Sequence, residues 1–207
     1  MKEKNILRHK PVQKRSRSRV EDILKSAEYI FNERGYEAST TNAIADKAGI
    51  PIGSLYQYFK NKKAILDSLS EKYTSELKEL FAGTFAKELQ DCPLEEMSDR
   101  MLDDLAKFYA KHTAFQVVLY GASRTSDLDN ASDELRQHII GFIVQSIQRR
   151  TPEKSAENIR TVSTMLVAIA RSILPAAISS DGKINSTILN ELKIAIKSYL
   201  HATLQVK

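Results

Sequence analysis

Apolar residues recur every three or four positions along most of this chain, the spacing of one face of an amphipathic helix. Val20, Ile23, Leu24, Ala27, Ile30 and Phe31 form the first stripe. Ser18 followed by Glu21 has the form of a capping box, and Gly35 supplies a left-handed residue after the last turn, so the pattern predicts a helix from Ser18 to Arg34. Thr40 caps a short second helix, with Ile44, Ala45 and Ala48 facing inward and Gly49 at its end. A third short helix runs from about Pro51, at a first-turn position, to Tyr58. Asn61 then caps a long fourth helix through Ala64, Ile65, Leu69, Tyr73, Leu77 and Leu80.

Further stripes follow. Cys92-Pro93 breaks the chain, and Met97, Met101, Leu105 and Phe108 mark one helix. Phe115 to Gly121 marks a short apolar one, and Leu135, Ile139, Phe142, Ile143 and Ile147 another. Thr151-Pro152 reads as a cap with proline at the first helical position, opening a helix through Ile159, Val162, Met165, Leu166, Ile169 and Ile173. After the loop Ser179-Ser180-Asp181-Gly182, the residues Ile188, Leu192, Ala195, Ile196 and Tyr199 form the last stripe. Strand alternation and internal repeats are absent from the pattern, so the expected class is all-α, with about nine helices.

Composition supports a packed globular chain: 207 residues, 42% hydrophobic and 28% charged. The net charge of +5 is unevenly placed. Residues 1–19 carry eight Lys or Arg and one Glu, residues 20–66 carry six of each sign, and the remainder holds 17 basic and 19 acidic residues. The basic character therefore belongs to the N-terminal tail, which lacks periodicity and contains Pro11. A basic tail beside a compact element suggests a polyanionic partner or a solubilising arm. The single cysteine, Cys92, excludes an intrachain disulfide and a cysteine-cluster metal site, and fits a reducing, cytoplasmic setting. Met1 to Arg19 lacks the apolar segment of a secretory leader. The most apolar run, Val162 to Ile178, is interrupted by Ser163, Thr164, Arg171 and Ser172, and no membrane span is expected. His9, His112, His138 and His201 are scattered, with no ligand spacing and no Ser-His-Asp set, so neither a metal, a cofactor nor an enzyme is expected.

Two short helices joined at Gly49 have helix-turn-helix spacing, and the second exposes Ser54, Gln57 and Tyr58 for a DNA groove. Here Gly35, Thr40, Ile44-Ala45, Ala48-Gly49, Gly53, Leu55-Tyr56, Tyr58-Phe59, Lys62 and Leu66 fall in the order and spacing of a known family. Over residues 18–66 the chain resembles the tetracycline-repressor-like (TetR) family of bacterial regulators. The resemblance implies a three-helix DNA-binding domain at 17–66 after a flexible basic tail at 1–16, and a helical domain at 67–207 for effector binding and dimerisation. It implies that Thr40 and Lys62 lie near phosphates, that Gly53 allows close approach, and that one ring of Tyr56 and Tyr58 meets the backbone while Phe59 packs inside. The DNA-binding set is then Arg17, Thr40, Thr41, Ile52, Gly53, Ser54, Tyr56, Gln57, Tyr58 and Lys62. The sequence departs from the family pattern at Ala43, Pro51 and Ala64, each a lost capping group.

For the second domain, Phe81, Phe85, Met101, Phe108, Phe115, Tyr120, Phe142 and Met165 are core residues of which a subset lines an apolar pocket, with Tyr109, Gln116 and Gln145 as polar contacts. Charges look sparse in the middle helices, which points to a hydrophobic or amphipathic small-molecule effector. The last two long helices are expected to form a homodimer face through Val162, Ile169, Ser172, Ile173, Leu192, Ala195, Ile196 and Tyr199. The implied function is a dimeric, ligand-responsive regulator, a repressor released from a double-stranded palindromic operator. A helical protein-interaction module with a basic tail is the alternative.

Overall fold

In the computed structural model, residues 14–84, 92–115, 126–179 and 181–204 are described. They form eight α-helices: α1 (Lys14–Ala38), α2 (Thr41–Lys47), α3 (Ile52–Tyr58), α4 (Lys62–Thr84), α5 (Leu94–Lys111), α6 (Ser126–Arg150), α7 (Ala156–Ile173) and α8 (Ser186–Leu204). A 3-10 turn, Leu174–Ala177, follows α7. Apart from one isolated antiparallel bridge between Ile178 and Ile184, the regular structure among the described residues is helical. The all-α expectation holds. The short helix expected over Phe115 to Gly121 lies, beyond Phe115, outside the described residues.

The chain divides into two compact units, Met1–Ser75 with Thr113–Ala131, and Glu76–His112 with Ser132–Lys207. In the first, the inward stripes of α1 to α4 bury Ile23, Ala27, Phe31, Ile44, Leu55, Phe59, Ile65 and Leu69 completely. The Tyr73 hydroxyl donates to Glu28 of α1, and its ring meets Phe115 edge-on at 5.5 Å. In the second, α5 packs on α8 and α7 on α8. A ladder joins α5 to α8: Lys193 Nζ to Asp103 at 2.6 Å, Lys197 Nζ to Asp99 at 3.2 Å, and His201 Nε2 to Glu95 at 2.7 Å. Its rungs descend α5 as they climb α8, one helical turn at a time, as antiparallel helices require.

Helix boundaries show where local signals compete. Ser18 is not an N-cap, because α1 already begins at Lys14. Lys, Arg and Ser across 14–19 include good helix formers and no breaker, so the helix extends past the capping-box motif. Thr151 does not open α7. It closes α6 instead, its backbone N–H and its hydroxyl both donating to the Ile147 carbonyl at 2.9 Å. Ser155 is the cap, accepting from the Asn158 N–H at 3.2 Å. Pro51 sits one residue before the first turn of α3 rather than within it. Residues Ala156–Ala177 are long and apolar enough, by length and composition, to cross a membrane, contrary to the expectation from the interrupted apolar run. Ile159, Val162, Ser163 and Leu166 on that helix are buried within the chain.

Gly35 breaks α1 three residues before its end, with φ 73° and ψ 167°. The expected left-handed stop is thus an extended positive-φ conformation, accessible essentially to glycine alone. A Cβ there would meet nothing within 4 Å, so the constraint is backbone strain and not space. Gly35→Ala is expected to lower stability by about 1–3 kcal/mol in urea unfolding. Gly53→Ala, on ordinary helical backbone with equally open surroundings, is expected to cost no stability.

Candidate nucleic-acid interface

Thr40 takes extended backbone, φ −124° and ψ 153°, and its hydroxyl accepts from the Ala43 N–H at 3.1 Å. Ala43 has no side chain to accept from the Thr40 N–H in return, so only this half of a capping box forms. Ile44 and Ala45 are buried, and Asp46 and Lys47 are exposed. The turn is closed by the Gly49 N–H on the Asp46 carbonyl and the Ile50 N–H on the Ala45 carbonyl, both at 3.1 Å. Gly49 supplies the required φ of 64°. Helix α3 lacks a side-chain cap, since Pro51 has none to offer, but the Pro51 carbonyl accepts from the Ser54 N–H at 2.9 Å. Leu55 and the following Phe59 are fully buried and fix the helix to the core.

The outward face of α3 is what remains. Gly53, Tyr56 and Gln57 are exposed, while Ile52, Ser54 and Tyr58 are half-buried. Tyr56 is 40% exposed, and its hydroxyl lies 3.1 Å from Thr41 Oγ1 at the start of α2. That bond ties two of the sequence-predicted residues together and holds the ring against the N-terminus of α2. Arg17 and Arg19 are exposed on the first turns of α1. Lys62 is half-buried at the start of α4. Its ammonium donates to the carbonyls of Tyr36 at 2.6 Å and Glu37 at 3.0 Å, and stands 4.3 Å from the centre of the Tyr36 ring. Lys63 pairs with Asp67 one turn along α4, at 2.9 Å.

One contact escaped the sequence reading. Lys47 Nζ stands 3.4 Å over the ring of Tyr29, an exposed aromatic on the polar side of α1. The Tyr29 hydroxyl donates to Glu33 at 2.5 Å, and this bond, with the Glu33 charge, holds the phenol above its ordinary range. An aromatic outside the apolar stripe was the available signal.

The comparisons with known proteins fall on these same elements. Residues 23–69 match the bacterial regulatory proteins, tetR family, and residues 93–200 match the tetracyclin repressor-like, C-terminal domain, which is just over half of the chain. The chain belongs to the TetR family. That family is one of transcriptional regulators and not of enzymes. The HTH-type transcriptional repressor KstR2 of Mycolicibacterium smegmatis is 37% identical over 116 residues, 54% of this chain and 53% of the relative. The fatty acid metabolism regulator protein of Bacillus subtilis is 30% identical over 128 residues, 61% of each. The chain spans about half the length of the first curated relatives it matches. Among solved structures, the fatty acid degradation regulator FadR of Bacillus halodurans superposes with a TM-score of 0.70 at 17% identity, covering 91% of this chain and 97% of that one. FadR of Bacillus subtilis in complex with stearoyl-CoA gives 0.68 at 19% identity, covering 90% and 98%. At such identities the likeness concerns the fold.

In the second unit of this TetR-family chain, two of the expected pocket residues meet. Phe81 is fully buried and stacks on Phe142 at 6.4 Å. Tyr109 is buried and Met101 half-buried, whereas Met165, 44% exposed, and Gln145 point outward. Phe115 spends its ring on Tyr73 within the first unit. Phe85, Gln116 and Tyr120 lie outside the described residues. A cleft of about 840 Å³ opens between the second half of α4 and α5, and of the candidates only Phe108 lines it. Its other walls are Leu80, Gly83 and seven charged residues: Glu76, Glu79, Arg100, Asp103, Asp104, Lys107 and Lys111. Charges are therefore not sparse in the middle helices. They sit at helical spacing on the two stripes that face each other, where packing would otherwise close the gap.

The dimer candidates divide. Val162, Leu192 and Ile196 are 1–3% exposed within the single chain, so their apolar surface is already spent and cannot face a partner. Ser172, Ile173 and Ala195 are exposed, and Ile169 and Tyr199 are half-buried. Met165 and Ile194, the latter 54% exposed, extend the outward apolar surface of α7 and α8.

At the rim of the cleft, Glu76 meets the buried His112 at 2.8 Å and Lys111 at 3.2 Å. Burial pushes its carboxyl up, but the Lys111 hydrogen bond, together with the charge and hydrogen bond of His112, outweighs this and holds it below its ordinary value. A carboxyl depressed in the folded state adds stability above the ordinary carboxylate range, and loses it as pH falls through the folded value. Glu76→Gln is expected to destabilise at pH ~7, with the gap to wild type closing between about pH 5 and pH 3 in urea unfolding.

Proposed function

We propose that the chain is a homodimeric, cytoplasmic regulator that represses by holding a palindromic double-stranded operator with α3 in the major groove. The observation that carries this reading is the division of α3. Leu55 is spent entirely inward, while Gly53, Tyr56 and Gln57 are left exposed, with Ser54 and Tyr58 half-buried beside them. Gln57 and Ser54 have the chemistry to read base edges. Tyr56 and Thr41, already bonded to each other, present two hydroxyls side by side for a phosphate. Gly53 carries no side chain to keep the backbone from the groove wall. Arg17 supplies charge from α1. The domain division at 17–66 and 67–207 assigns DNA reading to the first part, and effector binding and dimerisation to the second.

Two copies joined through the outward surfaces of α7 and α8, by Met165, Ile169, Ser172, Ile173, Ile194, Ala195 and Tyr199, would present two such faces to half-sites about one helical turn of DNA apart or a multiple of it. The effector is an amphipathic small molecule. Relatives named for fatty acid regulation, one solved with stearoyl-CoA, favour an acyl chain, and the charged cleft beside Phe108 favours a polar head over a wholly apolar ligand. Such a molecule releases DNA only if it binds the DNA-unfit conformation more tightly.

The test is anisotropy on duplexes that the protein itself selects from a random pool. The selected site should bind at least about a thousandfold more tightly than random duplex at physiological salt. Gln57→Ala should cost about 1–3 kcal/mol on the selected site and little on random DNA. Absence of binding to any duplex at low ionic strength defeats the reading. Met165→Asp combined with Ile194→Asp should convert the dimer to a monomer in sedimentation velocity, and an unchanged dimer removes the α7–α8 assignment.

A further inference from the structure

Helix α3 has only seven residues, and its side chains differ in what they are left to do. Gln57 follows the fully buried Leu55 by two positions, about 200° around the helix axis, and so projects away from the core. It is exposed, and among the described residues its amide has no hydrogen-bond partner. The residues beside it are engaged or turned aside. The Tyr56 hydroxyl lies 3.1 Å from Thr41 Oγ1, and Tyr58 is half-buried. Helical side chains lean toward the N-terminus, over the residues three and four positions earlier. For Gln57 those are Ser54 and Gly53, the two smallest residues of the helix. Gly53 has no positive φ, and a Cβ there would meet nothing within 4 Å. Neither strain nor packing requires a glycine at this position. What its missing side chain does is leave room in front of the Gln57 amide.

We infer that Gln57 reads one adenine in each half-site, its Nε2 donating to adenine N7 and its Oε1 accepting from the adenine N6 amino group. The amide is neutral, so it brings no charge attraction to a phosphate. It offers one donor group and one acceptor side by side, and that pair defines its complement. Adenine presents an acceptor beside a donor on its major-groove edge. Guanine presents two acceptors, thymine an acceptor beside a methyl group, and cytosine a single donor. Guanine would therefore set one of its acceptors against the Gln57 carbonyl, and thymine or cytosine would leave half of the amide unpaired. The inference rests on the proposed reading of DNA by α3, and names the base that its most outward side chain selects.

The test uses the full-length chain and duplexes that it selects from a random pool. Wild-type protein should select an adenine at one position of each half-site, and Gln57→Ala should lose that preference while keeping the others. At this position 7-deazaadenine lacks the N7 acceptor and unsubstituted purine lacks the N6 amino group. Each should weaken wild-type binding about threefold or more, and neither should change the binding of Gln57→Ala. Gln57→Arg, with donors only, should shift the selected base at that position from adenine to guanine. A preference lost in Gln57→Ala at a base other than adenine overturns the inference. So does a loss in Gln57→Ala that is equal on selected and random duplex, which marks a phosphate contact. The two analogues also judge the wild-type chain without any variant: if both are harmless at every adenine of the selected site, the inference falls while the DNA-reading assignment stands. If wild-type protein binds no duplex at low ionic strength, that assignment falls and the inference falls with it.

Discussion

Two helices of seven residues cannot stand in water, because the cost of nucleating a helix is not recovered over so short a length. Everything outward on α2 and α3 therefore depends on a handful of inward side chains. Ile44 and Ala45 hold α2, and Leu55 with Phe59 holds α3, all four almost wholly withdrawn from solvent. The supporting surface comes from α1 and α4, whose stripes through Phe31, Ile65 and Leu69 are equally buried. A helix of two turns has one stripe for the core, Leu55 on α3, and on that helix Gly53, Tyr56 and Gln57 remain exposed, with Ile52, Ser54 and Tyr58 half-buried. The family's DNA-reading arrangement follows from that economy as much as from the identity of the outward residues.

The connectors carry the polar half of the same problem. Short helices mean many ends, and each end leaves backbone groups to be satisfied. Thr40 answers for α2, Asn61 for α4 by accepting from the Ala64 N–H at 2.9 Å, and Ser155 for α7. Asn185 does the same for α8, accepting from the N–H groups of Thr187 and Ile188. At the end of α1 Ser39 answers locally, donating to the Gly35 carbonyl, and Lys62 answers from 26 positions away, donating to that of Tyr36. Arg150 plays a comparable part in the second unit, its guanidinium donating to the Cys92 carbonyl just before α5 and to the Ser146 carbonyl within α6.

What was legible in the sequence and what was not separates along the same line. Local chemistry was readable: Thr40, Gly49 and Asn61 each sit where residue type and spacing placed them, because caps and turns are settled within a few residues. The expected stop at Gly35 was right in place and different in conformation, since the glycine pattern fixes the sign of φ and leaves ψ to the following turn. The start of α1 and the cap of α7 were misplaced because two adjacent candidates competed, Ser18 against a run of helix formers and Thr151 against Ser155. The destination of the Lys62 ammonium was not readable, as its acceptors lie 25 and 26 positions away. The inward or outward sense of Val162, Leu192 and Ile196 failed for another reason. A stripe reports that a face is covered, and is silent on whether the same chain or a second copy covers it. Likewise, Glu76 and Glu79 on α4, with Asp103, Asp104 and Lys107 on α5, read separately as solvated charges. Only their opposition across one cleft makes them a wall.

The early start of α1 changes what its arginines can do. As parts of a loose arm, Arg17 and Arg19 would each find a negative group independently. On a helix they are two residues apart, which is about 200° around the axis and roughly 3 Å along it. Their stems therefore leave opposite sides of a rigid rod. A single strand of a duplex lying along one flank can be gripped by one of them, while the other is turned toward solvent or toward a different surface.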